Sequence, residues 1–177
     1  KRRRVPRRKP RRRPSVTSVV RAGCRPSRGP SPAPRGRVAA PSQGFTSLAK
    51  GETPVAVHFA QINEMDGFFI TAREADPGFT WKKLEGAEVV LFGAGQPLAM
   101  FKYACHKAGI DFAKIKAITP GGAGDMDKAF RDGKGSYIQQ QGPFPQQLEA
   151  DGVGHIVAEV GPKIGPVAFS SLAATRA

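Results

Sequence analysis

The sequence has little cysteine, no long apolar run and, over its first 50 residues, no acidic side chain. Cys24 and Cys105 form no Cys-x-x-Cys pair, so neither a disulfide framework nor a zinc spacing is indicated. No apolar stretch reaches the roughly 18 residues that a membrane-spanning helix needs. Residues 16–20 are too short and too polar for the core of a secretory signal. The chain begins with Lys1 rather than Met, which suggests a processed or partial product.

The common catalytic motifs are also missing. There is no Gly-x-Ser-x-Gly, His-Glu-x-x-His or Gly-x-x-x-x-Gly-Lys-Ser/Thr sequence, so typical serine hydrolase, zinc protease and P-loop sites are not indicated. His58, His106 and His155 are far apart in sequence, and each is interpreted as a surface or packing residue. We therefore predict a protein that is not an enzyme, with no catalytic residue, no metal and no cofactor.

Basic residues are concentrated at the start of the chain. Residues 1–50 hold 16 of the 28 Lys and Arg, so residues 51–177 hold the other 12 together with all 14 Asp and Glu. Charge repulsion and proline oppose ordering, and we predict a disordered basic tail over 1–50 and a folded α/β lobe over 51–177. The tail is either a solvated or foreign segment, or an arm that binds nucleic acid or an anionic membrane surface.

One pattern recurs three times between about residues 88 and 160: an apolar run, a glycine-bearing turn and an amphipathic helix that ends on glycine. The copies read EVVLFGAGQPLAMFKYACHKAGI, IKAITPGGAGDMDKAFRDG and SYIQQQGPFPQQLEADGV. Strands that alternate with helices predict a parallel sheet, because a crossover is needed to reach a parallel neighbour. The expected fold class is α/β, with a mostly parallel sheet flanked by helices. The strand-to-helix turns of such a sheet meet at one edge, where ligands bind.

Other signals complete the expected elements. Strands are predicted at residues 55–59, 68–72, 88–92, 115–118, 137–140, 155–160 and 166–170, and a short helical turn at 79–86. In the first repeated helix, from about residue 96 to 108, one face carries Leu98, Phe101, Cys105 and Ala108, and Gly109 is the expected left-handed cap. In the second helix Asp125 is the expected N-cap and Met126, Ala129 and Phe130 the buried stripe.

The three turns supply the candidate binding residues. A helix N-terminus offers unpaired N–H groups and a partial positive charge, and glycine lets a ligand approach the backbone. Such a turn can also be purely structural, and the glutamine run at 139–141 can be a polar loop or a set of amides in a cleft. The residues leave both alternatives open. The candidate ligand-binding residues are Gly93, Ala94, Gly95, Gln96, Gly121, Gly122, Gly124, Asp125, Gln140, Gln141 and Gly142.

Residues 59–172 resemble a known group of proteins. The order of FAQINEMDGFFITARE, WKKLEGAEVVLFGAG, AGID, GDMDKAFRDGKGSYIQQQGP, LEADGVGHIVAEVG and PVAFSSLAATR is similar to that of substrate-binding proteins of ABC importers for sulfonates, taurine, nitrate and thiamine-pyrimidine precursors. The resemblance implies a two-lobed periplasmic-binding-protein fold, a small polar or anionic solute as ligand, ABC permease subunits as partners, a monomer, and a periplasmic or cell-surface location.

The resemblance also implies where the chain crosses between lobes and what it contains. Asp66 and Gly67 would lie near the crossing into the second lobe, and Ser170 and Ser171 near the return. The chain would hold mainly that second lobe, so we expect weak or no ligand binding by the chain alone, because a good site buries most of its ligand. An alternative is a thiamine-pyrimidine synthase-like enzyme of the same fold, although its Cys-rich cluster is absent here.

Overall fold

The computed structural model describes residues 36–175, apart from the side chains of Gln43 and Thr46. In chain order the described elements are β1 (Arg37–Ala39), α1 (Ser42–Ala49), β2 (Ala56–Asn63), β3 (Phe68–Ala72), β4 (Glu88–Val90), α2 (Gly95–Ala108), β5 (Lys116–Ile118), α3 (Ala123–Arg131), β6 (Tyr137–Gln141), α4 (Phe144–Ala150), β7 (His155–Glu159), α5 (Val160–Ile164) and β8 (Ser170–Thr175). Short 3-10 turns span Trp81–Leu84 and Phe112–Lys114. Within this part of the chain, no helix has the length and apolar character needed to cross a membrane.

The larger sheet has five strands in the order β5-β4-β6-β3-β7. Strand β4 pairs in parallel with both β5 and β6, with Val90 opposite Ile118 on one side and Ile138 on the other. Strand β3 is antiparallel to both β6 and β7, so four strands run in one direction and β3 in the other. The predicted α/β class with a mostly parallel sheet is confirmed.

Helices cover both faces of this sheet. On one face Val89 and Leu91 pack with Phe101 of α2 and Val160 of α5, all of them fully buried. On the other face, α3 and α4 pack on Val90 and Ile138 through Met126, Phe130 and Leu148. Burial of neighbouring residues on opposite faces explains why β4 reads as a continuous apolar run. The stripe predicted for α3 is therefore correct.

The smaller sheet is antiparallel throughout, in the order β1-β8-β2. The chain passes between the two sheets at residues 64–67 and again at 165–169. These segments lie side by side, because Val167 N donates to Glu64 O at 2.7 Å and Phe169 N donates to Asn63 O at 3.2 Å. The expected positions of the crossing, near Asp66, and of the return, near Ser170, agree with this arrangement.

The predicted boundary at residue 50 is corrected by the structure. Strand β1 pairs with β8 through Val38 opposite Leu172, and α1 follows directly, so residues 36–50 belong to the folded part. The sequence did not indicate these two elements because they are short and follow residues rich in Arg and Pro. Residues 1–35, which carry the rest of the predicted tail, lie outside the described residues.

Two further expectations at the end of the chain are corrected. The strand predicted at 155–160 ends at Glu159, and Val160 begins α5, which the sequence did not indicate because it contains both Gly161 and Pro162. Burial of Val160 and Ile164 against the core holds this short helix in place. The last strand is Ser170–Thr175 rather than 166–170, since pairing with β1 and β2 decides its position.

Candidate ligand-binding site

The three glycine-bearing turns lie at one edge of the larger sheet. They follow the carboxyl ends of β4, β5 and β6, which are adjacent and parallel. A Cβ on Gly93 would lie 3.5 Å from Cβ of Thr119, so the first and second turns are neighbours. The structure thus brings the turns together, while ligand binding by them stays a prediction.

Two buried glutamines of β6 tie the adjoining helices to this edge. Gln139 Nε2 donates to Pro97 O in the first turn of α2 at 3.1 Å, and Gln140 Nε2 donates to Ala123 O at the start of α3 at 3.4 Å. Both side chains are fully buried, and neither amide oxygen has a partner among the described residues. The glutamine run is therefore more than a polar loop, because two of its amides position helix N-termini.

The N-terminus of α2 is open. The helix begins at Gly95, whose φ of +77° suits glycine, and follows Ala94 in an extended conformation. Among the described residues no side chain caps this end, and its first turn holds no acidic residue, so its unpaired N–H groups and partial positive charge are available. Gly93, Ala94 and Gly95 are all exposed. This end can receive an anionic or electron-rich group.

The N-terminus of α3 differs because the chain caps it with its own carboxylate. Gly122, not Asp125, is the N-cap residue, and Asp125 in the first turn accepts a hydrogen bond from Gly122 N at 3.1 Å. Gly121 has a φ of +138°, and a Cβ there would lie 2.6 Å from Asp125 Oδ2. The N-cap residue therefore lies three positions earlier than the sequence predicted. An anion would meet a negative charge at this turn, so Gly121, Gly122, Gly124 and Asp125 suit it less well than the first turn.

An open cavity of about 370 Å³ lies between this edge and the smaller sheet. Two of the predicted residues, Gln96 and Gln141, line it. The sequence did not indicate the other lining residues, which come from both sheets and the crossings: Val38, Ala39, Ala40, Asn63, Phe68, Pro97, Phe169 and Ser170. The remaining predicted site residues, in the glycine turns and at Gln140, are not among the lining residues.

The cavity combines an aromatic wall with uncharged polar groups. Phe68 and Phe169 meet edge to face with ring centroids 6.0 Å apart. Gln96 Nε2 donates to Phe169 O at 2.9 Å, which leaves its amide oxygen for a ligand, and Ser170 Oγ donates to Asn63 Oδ1. None of the lining residues carries a charge. A ligand with an apolar part and a polar head matches this composition.

Asp66 lies at the crossing into β3, two residues before the cavity-lining Phe68. Its side chain is buried, Oδ1 accepts a hydrogen bond from Phe68 N at 2.7 Å, and Oδ2 has no partner among the described residues. Burial raises the pKa of this carboxyl to about 6, although the bond from Phe68 N acts in the opposite direction. The crossing is packed tightly, because a Cβ on Gly161 would lie 2.5 Å from Asp66 O.

The three histidines lie in different elements, His58 in β2, His106 in α2 and His155 in β7. His58 Nδ1 lies 2.5 Å from Ser171 Oγ inside the smaller sheet, and His106 is exposed on α2. Within residues 36–175 no group of three or more His, Cys, Asp or Glu could hold a metal ion.

Comparisons with known proteins show which proteins this chain resembles. No protein-family model matches the chain. The putative binding protein YtlA of Bacillus subtilis is 32% identical over 130 residues, which is 72% of this chain but 39% of that relative. The alkanesulfonate-binding protein SsuA of Xanthomonas axonopodis, solved with MOPS bound, matches with a TM-score of 0.64 at 14% identity. This match spans 80% of this chain and 47% of that protein.

A third relative gives the same result. The periplasmic aliphatic sulphonate-binding protein SsuA of Escherichia coli has a TM-score of 0.62 at 16% identity, over 79% of this chain and 47% of that protein. The chain spans about two fifths to one half of the length of these relatives. The expected resemblance is confirmed, and at these identities the solved structures establish the fold.

Proposed function

We propose that this chain, whose fold is that of the substrate-binding proteins of ABC importers, forms part of the solute receptor of such an importer. Its ligand is a small polar or anionic organic molecule of the sulfonate, nitrate, taurine or thiamine-pyrimidine-precursor class. The proposed partners are the permease subunits at the membrane, and the proposed location is the periplasm or the cell surface. The chain binds its solute without transforming it.

The observation that supports this proposal is the open N-terminus of α2 beside the cavity. Gln96 belongs to the first turn of that helix and also lines the cavity, so the partial positive charge of the helix acts on a group bound there. The aromatic pair Phe68 and Phe169 provides the apolar contact for a short organic body. A molecule with an oxygen-rich head and a small apolar portion satisfies both features.

Titration followed by protein NMR tests the proposal with the full chain. Taurine, ethanesulfonate, nitrate and an aminopyrimidine are added to millimolar concentrations, and we expect the side-chain amide signals of Gln96 and Gln141 to shift with a Kd weaker than about 100 μM. Gln141→Ala should weaken binding by about tenfold, since it removes a cavity-lining amide. Gln147→Ala is the matched control, because that exposed amide pairs with Asp151 and does not line the cavity. Absence of shifts at the cavity with every solute, both in this chain alone and when its segment replaces the matching part of the Bacillus subtilis relative, would contradict the proposal.

A further inference from the structure

Three of the side chains that line the cavity end in a carboxamide. They are Asn63 at the end of β2, Gln96 in the first turn of α2 and Gln141 at the end of β6. A carboxamide is uncharged and carries an acceptor oxygen beside an NH2 group with two donors. The hydrogen bonds that each of these side chains makes within the protein decide which of its ends a ligand meets.

The orientation of Gln96 is fixed by its hydrogen bond to the backbone. Its Nε2 donates to Phe169 O at 2.9 Å. Because a carbonyl oxygen only accepts, the amide nitrogen must face Phe169, and Oε1 remains as an acceptor for a ligand. Asn63 presents the opposite end of its amide, since its Oδ1 accepts from Ser170 Oγ and its NH2 group remains. The cavity thus offers an acceptor from one element and donors from another.

The third amide lies against the aromatic wall of the cavity. A Cβ added to Gly67 would lie 3.6 Å from Gln141 Nε2 and 3.9 Å from Cε1 of the Phe169 ring, so this amide and this ring flank the same point of the backbone. Phe68, whose ring meets that of Phe169 edge to face, continues the wall. Polar groups beside aromatic carbon suit a flat ring that carries polar atoms on its rim.

The pairing of donors with acceptors separates the candidate solutes. An ionised sulfonate or nitrate carries acceptors only, so beside Gln96 Oε1 it would set oxygen against oxygen and leave that acceptor unpaired. No residue that lines the cavity carries a positive charge to offset this cost. A neutral ring with an N–H group pairs with Gln96, and its acceptors pair with Asn63 and with the open N-terminus of α2.

Building on the proposed function, we propose that the solute is an uncharged flat ring compound with both an N–H donor and an acceptor, such as a ring amide or an amino-heterocycle. Gln96 selects it over sulfonates and nitrate, because its fixed Oε1 accepts the N–H that these anions lack. A site that is built to hydrogen-bond one group strongly rejects analogues without that group, since its own polar atom is then left unpaired. Gln96 is therefore a specificity-determining residue of this site.

Two pairs of ring compounds that are alike in shape test this inference in the full chain. Benzenesulfonamide is compared with benzenesulfonate, and nicotinamide with nicotinate, by NMR titration at neutral pH. We expect each uncharged amide to bind with a Kd at least about tenfold lower than that of its anion, and to shift the side-chain amide signals of Gln96 and Asn63. Gln96→Met keeps the length of the side chain without its amide, and it should weaken binding of the amides by about tenfold while the anions change little.

Gln147→Met is the matched control, because Gln147 is exposed on α4 and does not line the cavity, so every Kd should stay the same. An anion that binds at the cavity as tightly as its amide would overturn the inference and leave the proposed function standing. Equal weakening of amides and anions by Gln96→Met would also overturn it, because Gln96 would then support the cavity without selecting its ligand. If neither pair binds to the full chain, the same titrations are made with residues 36–175 in place of the matching part of the Bacillus subtilis relative. Preference for the anions there, or no binding of either pair, would overturn the inference, whereas the proposed function fails only if every other solute is also without effect.

Discussion

Among individual side chains, Asp66 couples stability to pH. Its folded-state pKa of about 6 lies above the usual value of 3.8, because burial disfavours the charged carboxylate. The stabilising contribution of the protonated carboxyl is present below pH 4 and is lost as the pH rises through 6. We expect Asp66→Asn to raise the midpoint of thermal unfolding relative to the wild type more at pH 7.5 than at pH 4. The control is Glu74→Gln at an exposed site, and an equal effect of Asp66→Asn at both pH values would contradict the assignment.

Gly161 provides a second test at the same crossing. A methyl group there would meet Asp66 O at 2.5 Å, and backbone cannot move aside as a flexible side chain can. Gly161→Ala should lower the free energy of unfolding by about 1–3 kcal/mol, as overpacking does. Gly124→Ala is matched to it, because Gly124 occupies the same second position of α3 and no atom lies within 4 Å of its added Cβ. Urea unfolding that finds both variants equally stable would refute the close approach.

Within the helices, α3 depends on a contact from another element. Arg73, just beyond β3, donates to Phe130 O, Lys134 O and Gly135 O at 2.7–2.8 Å, and its guanidinium lies 4.2 Å from the centre of the Phe130 ring. Phe130 O belongs to the last turn of α3, where a positive charge suits the helix dipole, and the other two carbonyls belong to the loop between α3 and β6.

We expect Arg73→Gln to lower the free energy of unfolding by about 2 kcal/mol, since several bonds from a charged group are lost together. Lys102→Gln provides the comparison. Lys102 lies 4.8 Å from the centre of the Phe112 ring on an exposed surface, and its loss should cost about 0.5 kcal/mol. Chemical unfolding measures both variants, and equal losses would show that the Arg73 hydrogen bonds do not stabilise α3.

For the molecule as a whole, the uneven charge gives a prediction about anionic polymers. Residues 1–35 carry 14 Lys and Arg and no acidic residue, whereas residues 51–177 carry two more acidic than basic side chains. Retention on immobilised DNA should fall steeply with added salt and should be lost when residues 1–35 are deleted, because each neutralised phosphate releases a counterion. Retention that persists without these residues, or that does not depend on salt, would show that the folded part is responsible for DNA binding.

Several features of the fold followed from local sequence alone. The repeat of apolar run, glycine and amphipathic helix determined the α/β class and the alignment of three turns at one sheet edge, because a parallel neighbour can be reached only by a crossover. Gly109 closes α2 in the left-handed conformation expected of it, and Asp127 pairs with Arg131 at 2.7 Å as the i, i+4 spacing predicts. The cap at Gly109 and the Asp127–Arg131 pair are local contacts, so a short stretch of sequence contains all the residues that form each of them.

Tertiary structure alone decided the composition of the cavity and the boundary of the folded part. Phe68, Phe169 and Asn63 meet there because two crossings lie side by side, a contact between segments about 100 residues apart that no local pattern encodes. Likewise, β1 is only three residues long and depends on pairing with β8 at the other end of the chain. Short segments have little propensity of their own, so long-range pairing and burial determine what they become.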